Sequence, residues 1–153
     1  MNAEYTVTVQ WGDCDPARIV FYPNYFKWFD EAAWALLERL FPDKRGLLER
    51  HGIVGFPIAE ASARFLRPSA QYQTITFKST VDSWQEKRFT ILHQGYRDGE
   101  LLLEGREVRF MGRVHPQDSK RLQAIAIPDE IVEVFRSARN VSLQTDQAAD
   151  KRR

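Results

Sequence analysis

The most reactive side chains of the sequence lie in Asp13-Cys14-Asp15-Pro16, a few residues before Tyr22-Pro23. Proline is favoured at the first position of a helix, so Pro23 predicts a helix directly after this loop. The start of a helix presents unpaired N–H groups and about half a positive charge, which can stabilise negative charge developing on a carbonyl oxygen. A carboxylate beside that helix start could attack a carbonyl carbon or direct water at it.

A purely structural role fits the same spacing. Asp-x-Asp-Pro before a helix is typical of a turn whose carboxylates cap backbone N–H groups, and on residue types alone this is the commoner use of the pattern. Cys14 lies between two acids, whose negative charge disfavours a nucleophilic thiolate, so we do not expect a cysteine nucleophile. The three histidines are isolated and lack the spacing of metal ligands. We therefore expect no metal and no cofactor.

A strand and a long helix must position this loop. Tyr5, Val7, Val9 and Trp11 alternate with polar residues, which predicts a strand with one buried face. Apolar residues at spacings of three and four then predict a largely buried helix from Pro23 to about Phe41-Pro42, and they are Phe26, Phe29, Ala33, Leu36, Leu37 and Leu40. A short second helix is expected over Arg45–Arg50, and Gly52 can end it.

Four more strands and a final helix are expected in the rest of the chain. Asp98-Gly99 is the strongest hairpin signal, and a bulge is expected at Gly105, where the apolar residues change parity. A short extended piece and a helix from Pro128 through Phe135 follow. This order predicts an α+β fold with one helix packed on a mainly antiparallel sheet. The four strands are expected at Ile58–Leu66, Thr74–Trp84, Arg88–Arg97 and Leu101–Gly112, and the extended piece at Leu122–Ile127.

Length and composition limit the class of protein. With 153 residues the chain fits one domain, which we place at residues 1–137, followed by a polar tail over 138–153. The net charge of +1 provides no field for non-specific nucleic-acid binding. No apolar stretch approaches the length of a membrane span, and the first residues lack the pattern of a signal peptide. We therefore expect a cytoplasmic protein that binds neither nucleic acid nor membrane.

The run GDCDPARIVFYPNYFKWFD, from Gly12 to Asp30, closely resembles the corresponding stretch of the 4-hydroxybenzoyl-coenzyme A thioesterase family. Segments at Gly52–Ile58, Trp84–Phe89 and Leu122–Pro128 are also similar, so the resemblance extends to about Phe135. It implies the hotdog fold, in which a five-stranded antiparallel sheet wraps around one long central helix. It also implies hydrolysis of an acyl-CoA thioester to the free acid and CoA, with an aromatic acyl group of the hydroxybenzoyl type.

The resemblance also implies roles for individual residues. Asp15 matches the catalytic carboxylate of the family, while Asp13 is expected to be structural. Tyr22 matches the residue whose backbone N–H polarises the thioester carbonyl. Lys87 matches a lysine that binds CoA, and Thr74, Ile75 and Thr76 fall on a strand segment that lines the path of the pantetheine arm. Whether Asp15 attacks the thioester or acts as a general base on water stays open.

Departures from the family pattern concern CoA and acyl binding. Gln85 and Glu86 stand where a relative has two arginines, so Arg64, Arg67, Arg88 or Arg113 could replace them at the CoA phosphates. Arg18 stands where the family often has glycine, as a phosphate contact or as an exposed side chain. Asp30 resembles a family acid that could meet a substrate hydroxyl or pair with Lys27.

We expect a homodimer or homotetramer, because hotdog subunits generally pair and build each site from two chains. Two alternatives stay open, a non-catalytic acyl-thioester binding module and a thioesterase for short aliphatic acyl-CoA or acyl carrier protein substrates. A hotdog dehydratase is disfavoured, since neither the loop nor the first helix contains a histidine.

Overall fold

The computed structural model describes residues 2–150, without the side chains of residues 142–146 and 150. Within that range the strands form one antiparallel sheet in the order β1-β3-β4-β5-β2, and β6 pairs with β5. None of the helices described there is long and apolar enough to cross a membrane. The elements are β1 (Ala3–Thr8), α1 (Pro23–Leu40), α2 (Lys44–His51), β2 (Ile58–Phe65), β3 (Thr74–Trp84), β4 (Arg88–Arg97), β5 (Glu100–His115), β6 (Asp118–Ile125) and α3 (Asp129–Asp150).

Helix α1 lies against one face of this sheet, as its apolar stripe predicts. Alternate residues of the strands point toward it, so that Ile75, Phe77 and Ile91 are fully buried. On the other side of the contact α1 buries eight residues, namely Tyr25, Trp28, Phe29, Ala32, Ala33, Leu36, Leu37 and Leu40. The expected bounds of β3 and β4 are confirmed, and Asp98 and Gly99 both have positive φ, as a type I′ hairpin turn requires.

The expected inclusion of Trp11 in the first strand is wrong. Val9 still pairs, through its N–H to the Gln73 carbonyl and its carbonyl to the Tyr72 N–H, at 2.9 and 2.8 Å. The chain then turns into a single 3₁₀ turn at Trp11–Asp13. Trp11 is therefore 79% exposed and lies outside the core.

The expected bulge at Gly105 is also misplaced. Gly105 pairs in regular register with His93 and Ala63, and the irregularity lies between Gly95 and Tyr96, opposite Leu103 and Leu101. After this irregularity the inward-facing positions of β5 are Gly105, Glu107 and Arg109. Two of these three residues are charged, so the pattern of apolar residues does not show which face is buried. Gly105 is required for another reason, since a Cβ there would lie 2.4 Å from the ring of Phe29 on α1.

A buried charged cluster links β5 to α1. Arg109 donates to Glu107 at 2.9 Å, to the Phe56 carbonyl at 3.0 Å and to Asp30 of α1 at 2.7 Å. His93 Nδ1 lies 2.7 Å from the Ser79 hydroxyl, and its Nε2 lies 3.3 Å from Glu107, an ion-pair distance without hydrogen-bond geometry. Burial raises the pKa of Glu107, but His93 and Arg109 outweigh it, so this pKa lies below its ordinary value.

The C-terminal part is more regular than expected. The short extended piece is a full strand, β6, so residues 2–150 contain a six-stranded sheet rather than a five-stranded one. Helix α3 continues past Phe135 to Asp150, because Ile131, Phe135 and Ala138 are buried at helical spacing and no Gly or Pro follows. The expected polar tail is thus helical as far as Asp150. Residues 151–153 lie outside the described residues, and the domain boundary at 137 stays a prediction.

We predict that Gly105→Ala destabilises the fold by about 1–3 kcal/mol, because the added methyl group forces the Phe29 ring away from the sheet. Chemical denaturation measures this change in the free energy of unfolding. Gly55→Ala is the matched control, since a Cβ at Gly55 meets nothing within 4 Å. Equal stability of the two variants would contradict the close approach of α1 to β5.

A second prediction concerns acid. Because the Glu107 pKa is lower in the folded chain, its contribution is present above the unfolded value of about 4.3 and is lost as pH falls through the folded value. Glu107→Gln should cost about 3 kcal/mol at neutral pH, since it removes the buried one of the two carboxylates that pair with Arg109 and leaves only the half-exposed Asp30. The gap in unfolding free energy between wild type and variant should shrink below about pH 4. A gap that is constant from pH 7 to pH 3 would exclude this coupling.

Candidate active site

The Asp15 carboxylate is held by a short antiparallel loop. Cys14 forms a β-bridge with Val20, and the Asp15 N–H donates to the Ile19 carbonyl at 2.9 Å. The side chain closes the turn, since Asp15 Oδ1 accepts from the Ala17 N–H at 2.8 Å. Asp15 is half-buried, and its carboxylate has a fixed orientation at the tip of the loop.

The loop is tied to the start of α1 through the Asp13 carbonyl. This oxygen accepts from the Phe21 N–H at 2.8 Å and from Asn24 Nδ2 at 2.9 Å. The Asp13 carboxylate points the other way and accepts from the Gln10 N–H at 2.8 Å. Asp13 thus makes the capping contacts expected of a structural residue, and they set the distance between Asp15 and the helix.

Tyr22 offers an unused N–H at the helix start. Its φ of −54° is helical and Pro23, which follows it, has no N–H. The N–H groups of Asn24 and Tyr25 already donate to the carbonyls of Phe21 and Tyr22, at 3.0 and 3.1 Å. Across residues 2–150, no backbone or side-chain acceptor is paired with the Tyr22 N–H. The first turn of α1 therefore presents one free donor in its positive field.

Two depressions flank the loop. The polar cleft has a volume of about 780 Å³ and is lined by Trp11, Gly12, Cys14, Asp15, Pro16, Arg18 and Gln71. The aromatic groove has a volume of about 360 Å³ and is lined by Ile19, Val20, Tyr22, Tyr25, Phe65, Leu66, Arg67 and Pro68. Residues of the loop line both depressions, with Asp15 in the polar cleft and with Ile19, Val20 and the helix-start residue Tyr22 in the aromatic groove.

A polar cluster behind the loop supports it. The Val20 N–H donates to the Ser69 carbonyl at 2.9 Å. Arg97 donates to the Pro68 carbonyl at 3.0 Å and to Gln73 Oε1 at 2.6 Å, which holds this segment against the loop. Burial raises the pKa of Tyr25 on α1, although neighbouring Ser69 and Arg97 act in the opposite direction. Helix, loop and sheet therefore meet in one hydrogen-bonded unit.

Arg18 has an unusual backbone at the end of this turn. Its φ is +65°, in the left-handed region, and its N–H donates to the Asp15 carbonyl at 2.8 Å. In hairpin loops of this length the left-handed position is usually occupied by glycine, because a side chain there costs about 1 kcal/mol or more. The sequence nevertheless keeps an arginine at the rim of the polar cleft.

The structure separates the expected coenzyme residues along β3, with Thr74, Ile75 and Thr76 at its start and Lys87 beyond its end. Thr74 and Thr76 are on the outer face of β3, where their hydroxyls each lie 3.2 Å from those of Thr8 and Thr6. Ile75 points inward and is fully buried in the core. Lys87 follows the opposite end of β3, which is 11 residues long, about 33 Å at the usual rise per residue. In one chain, Lys87 is therefore remote from Asp15.

Most of the alternative basic residues have protein partners. Arg64 faces Glu104 at 4.0 Å, and Arg88 faces Glu60 at 3.8 Å. Arg67 pairs with Glu100, and Arg113 donates to Gln123 at 2.9 Å. Asp30 pairs with Arg109 rather than Lys27, whose Nζ lies 3.9 Å from Glu31. In the described residues, no group of three or more His, Cys, Asp or Glu is placed to hold a metal ion.

Sequence reasoning missed three residues that line the two depressions. Trp11 and Gln71 line the polar cleft, and Phe65 lines the aromatic groove, where its ring lies 6.5 Å from Tyr22 and 5.5 Å from Tyr25. The strand pattern assigned Trp11 to the core. Of the three, Phe65 alone had a feature in the sequence that could have indicated a binding role, namely an aromatic residue at the end of a predicted strand, shortly before Pro68.

Comparisons with known proteins show the family of this chain. A family model described as the thioesterase-like superfamily matches residues 9–135. The chain is 32% identical to 4-hydroxybenzoyl-CoA thioesterase of Pseudomonas sp. strain CBS-3 over 133 residues, which cover 82% of this chain and 92% of that protein. It is 28% identical to 1,4-dihydroxy-2-naphthoyl-CoA hydrolase of Thermosynechococcus vestitus over 137 residues, 88% of this chain and 89% of that protein.

The fold is also similar to that of a solved structure. The three-dimensional structure of the Pseudomonas 4-hydroxybenzoyl-CoA thioesterase matches with a TM-score of 0.78 and 29% identity, covering 87% of this chain and 98% of that one. This match confirms the hotdog fold that the Gly12–Asp30 run implies. The chain therefore belongs to the thioesterase-like superfamily.

Proposed function

We propose that this protein hydrolyses an aromatic acyl-CoA thioester to the free acid and CoA, with Asp15 and the backbone N–H of Tyr22 at the reacting carbonyl. The observation that supports the proposal is the pair of hydrogen bonds to the Asp13 carbonyl, which tie the loop that carries Asp15 to the start of α1, where the Tyr22 N–H is free. Two relatives that match along most of their length are named as an aromatic acyl-CoA thioesterase and hydrolase.

The chemistry needs few groups. The Tyr22 N–H and the field of α1 stabilise negative charge on the thioester oxygen as the carbonyl carbon becomes tetrahedral. Asp15 either attacks that carbon, giving a mixed anhydride that water then hydrolyses, or takes a proton from the water that attacks. On both routes the C–S bond breaks and CoA leaves as a thiolate, which needs no strong acid. The absence of an imidazole at this loop is compatible with such a leaving group.

The aromatic groove supports an aromatic acyl group. It lies on the Tyr22 side of the loop, and Tyr22, Tyr25 and Phe65 present three ring systems to it. Flat rings pack favourably edge to face or offset against such side chains. Phe65 is 47% exposed in the single chain, so its face is available to a substrate.

The proposal includes a homo-oligomer, because one chain separates Asp15 from Lys87. Strand β2 is an edge of the sheet, and besides Phe65 the apolar side chains of Ile58 and Leu66 are exposed on it and beside it, so that these two can be covered by a second copy. Pairing of edge strands between two copies would cover these side chains and satisfy the free backbone groups. A CoA thioester bound at Asp15 can then meet Lys87 of another copy, and Thr74 and Thr76 line its path as the family resemblance implies.

Asp15→Asn should lower kcat by about 10²- to 10⁴-fold, because it removes the charge needed for attack or for proton transfer. The melting temperature should stay close to that of wild type, since the amide oxygen can still accept from the Ala17 N–H. Release of free CoA from 4-hydroxybenzoyl-CoA, benzoyl-CoA and aliphatic acyl-CoA substrates measures kcat. The aromatic substrates should be hydrolysed fastest by wild type.

Asp13→Asn is the matched control, because its side-chain oxygen can still accept from Gln10 and its backbone carbonyl is unchanged. It should keep most of the wild-type kcat. Unchanged turnover in Asp15→Asn, or an equal loss in both variants, would refute the role of Asp15.

Mixing two variants tests the shared site. Lys87→Ala should raise KM, and Asp15→Asn should abolish turnover. When the two proteins are dissociated, mixed in equal amounts and reassembled, half of the dimers contain both chains, and each of these has one intact site. The mixture should therefore recover about a quarter of the wild-type kcat/KM. Recovery no greater than the average of the two parents would show that Lys87 does not act across copies.

A further inference from the structure

We propose that Arg18 is the residue of this chain that binds a phosphate group of the CoA part of the substrate, in the polar cleft. The inference rests on the proposed function, and it assigns a phosphate contact independent of Lys87. It is carried by three features of Arg18: its backbone conformation, its lack of a charged partner and its place in the cleft.

The backbone shows that an arginine is not needed for the turn. The loop from Asp15 to Ile19 is closed by its own hydrogen bonds, and Arg18 occupies the left-handed position at φ +65°. Glycine adopts that conformation without steric cost and would serve the turn better. A charged side chain kept at an unfavourable backbone position, next to a candidate catalytic carboxylate, indicates a use for the side chain itself.

The guanidinium of Arg18 has no acidic partner among the described residues. Neither nearby carboxylate forms an ion pair with it: Asp13 accepts from the Gln10 N–H, and Asp15 accepts from the Ala17 N–H through one of its two oxygens. The other arginines considered for the CoA phosphates have partners on the protein, as described above. Arg18 is thus available for an anion that the protein does not supply.

The position of Arg18 indicates which part of the substrate it meets. Arg18 lines the polar cleft together with Asp15, Trp11 and Gln71, whereas a different set of residues, which includes Tyr22 and Phe65, lines the aromatic groove. An aromatic acyl group in the groove leaves the cleft for CoA. The pantetheine arm is uncharged, so the anions within CoA are its phosphates, which the fork of an arginine binds through two parallel hydrogen bonds. Trp11 is largely exposed in the same cleft as Arg18, and its ring offers a surface on which the adenine base of CoA could stack.

Arg18→Asn is the test variant, because asparagine tolerates the left-handed conformation and carries no charge. Isothermal titration calorimetry of wild type and variant with CoA, dephospho-CoA and pantetheine measures binding without turnover. We expect the variant to bind CoA about tenfold more weakly and pantetheine as wild type does. A loss that persists with dephospho-CoA assigns the contact to the diphosphate, and a loss confined to CoA assigns it to the 3′-phosphate. Arg121→Gln, which removes an exposed charge on β6, should match wild type.

Steady-state kinetics provide a second, independent test of the Arg18 contact. With benzoyl-CoA the variant should show a raised KM and a nearly unchanged kcat, and with benzoyl-pantetheine it should match wild type. Equal losses with both carriers would overturn the inference, because Arg18 would then act on the loop or on the acyl group. The inference would also be overturned if wild type bound CoA no more tightly than pantetheine. If wild type hydrolyses neither thioester but the phosphate-dependent binding through Arg18 is present, the proposed function fails and this inference stands.

Discussion

The Asp13 carbonyl is the point on which the site depends. It accepts two hydrogen bonds from the start of α1, one from a backbone N–H and one from the Asn24 side chain. Each is worth only about 1 kcal/mol in net stability. Together they fix the loop that carries Asp15 against the helix that carries the free N–H of Tyr22. The proposed stabilisation of a developing oxyanion requires a donor that is already in place, and the two hydrogen bonds to the Asp13 carbonyl hold the loop against the helix that carries this donor.

The placement would fail if α1 itself could shift. Phe29 packs directly on Gly105, so the helix approaches β5 as closely as the missing side chain allows. One turn from Tyr25, Asp30 pairs with buried Arg109, which also holds Glu107 and the Phe56 carbonyl. Near the helix start, buried Tyr25 lies beside the segment that supports the loop, and Arg97 donates to the Pro68 carbonyl of that segment. Packing and buried charge thus fix α1 along its length. Because the loop is hydrogen-bonded to the start of α1, its position is fixed as well.

Much of the fold could be predicted from the sequence, because periodicity and turn chemistry are local. The alternation in β3 and β4 and the Asp98-Gly99 turn define a hairpin without help from distant residues. Prediction failed where tertiary contacts decide. The inward-facing Glu107 and Arg109 follow a buried face that apolar parity alone does not reveal, and Trp11 leaves the core because Val9 pairs with the segment at Tyr72–Gln73. In the candidate site, the family resemblance identifies Asp15 and Tyr22, whereas Phe65 and Gln71 reach the loop only through folding of the sheet.

The central claim is that the backbone N–H of Tyr22 stabilises the reacting carbonyl. Its most direct test is the ratio of kcat in Tyr22→Ala to kcat in Tyr22→Pro. Both variants lose the tyrosine ring, and the φ of −54° suits proline, but only proline removes the N–H. If this N–H acts on the carbonyl, kcat of Tyr22→Pro should be about 10²- to 10³-fold lower than kcat of Tyr22→Ala, while the melting temperatures of the two variants are similar. Equal kcat values in the two folded variants would contradict it.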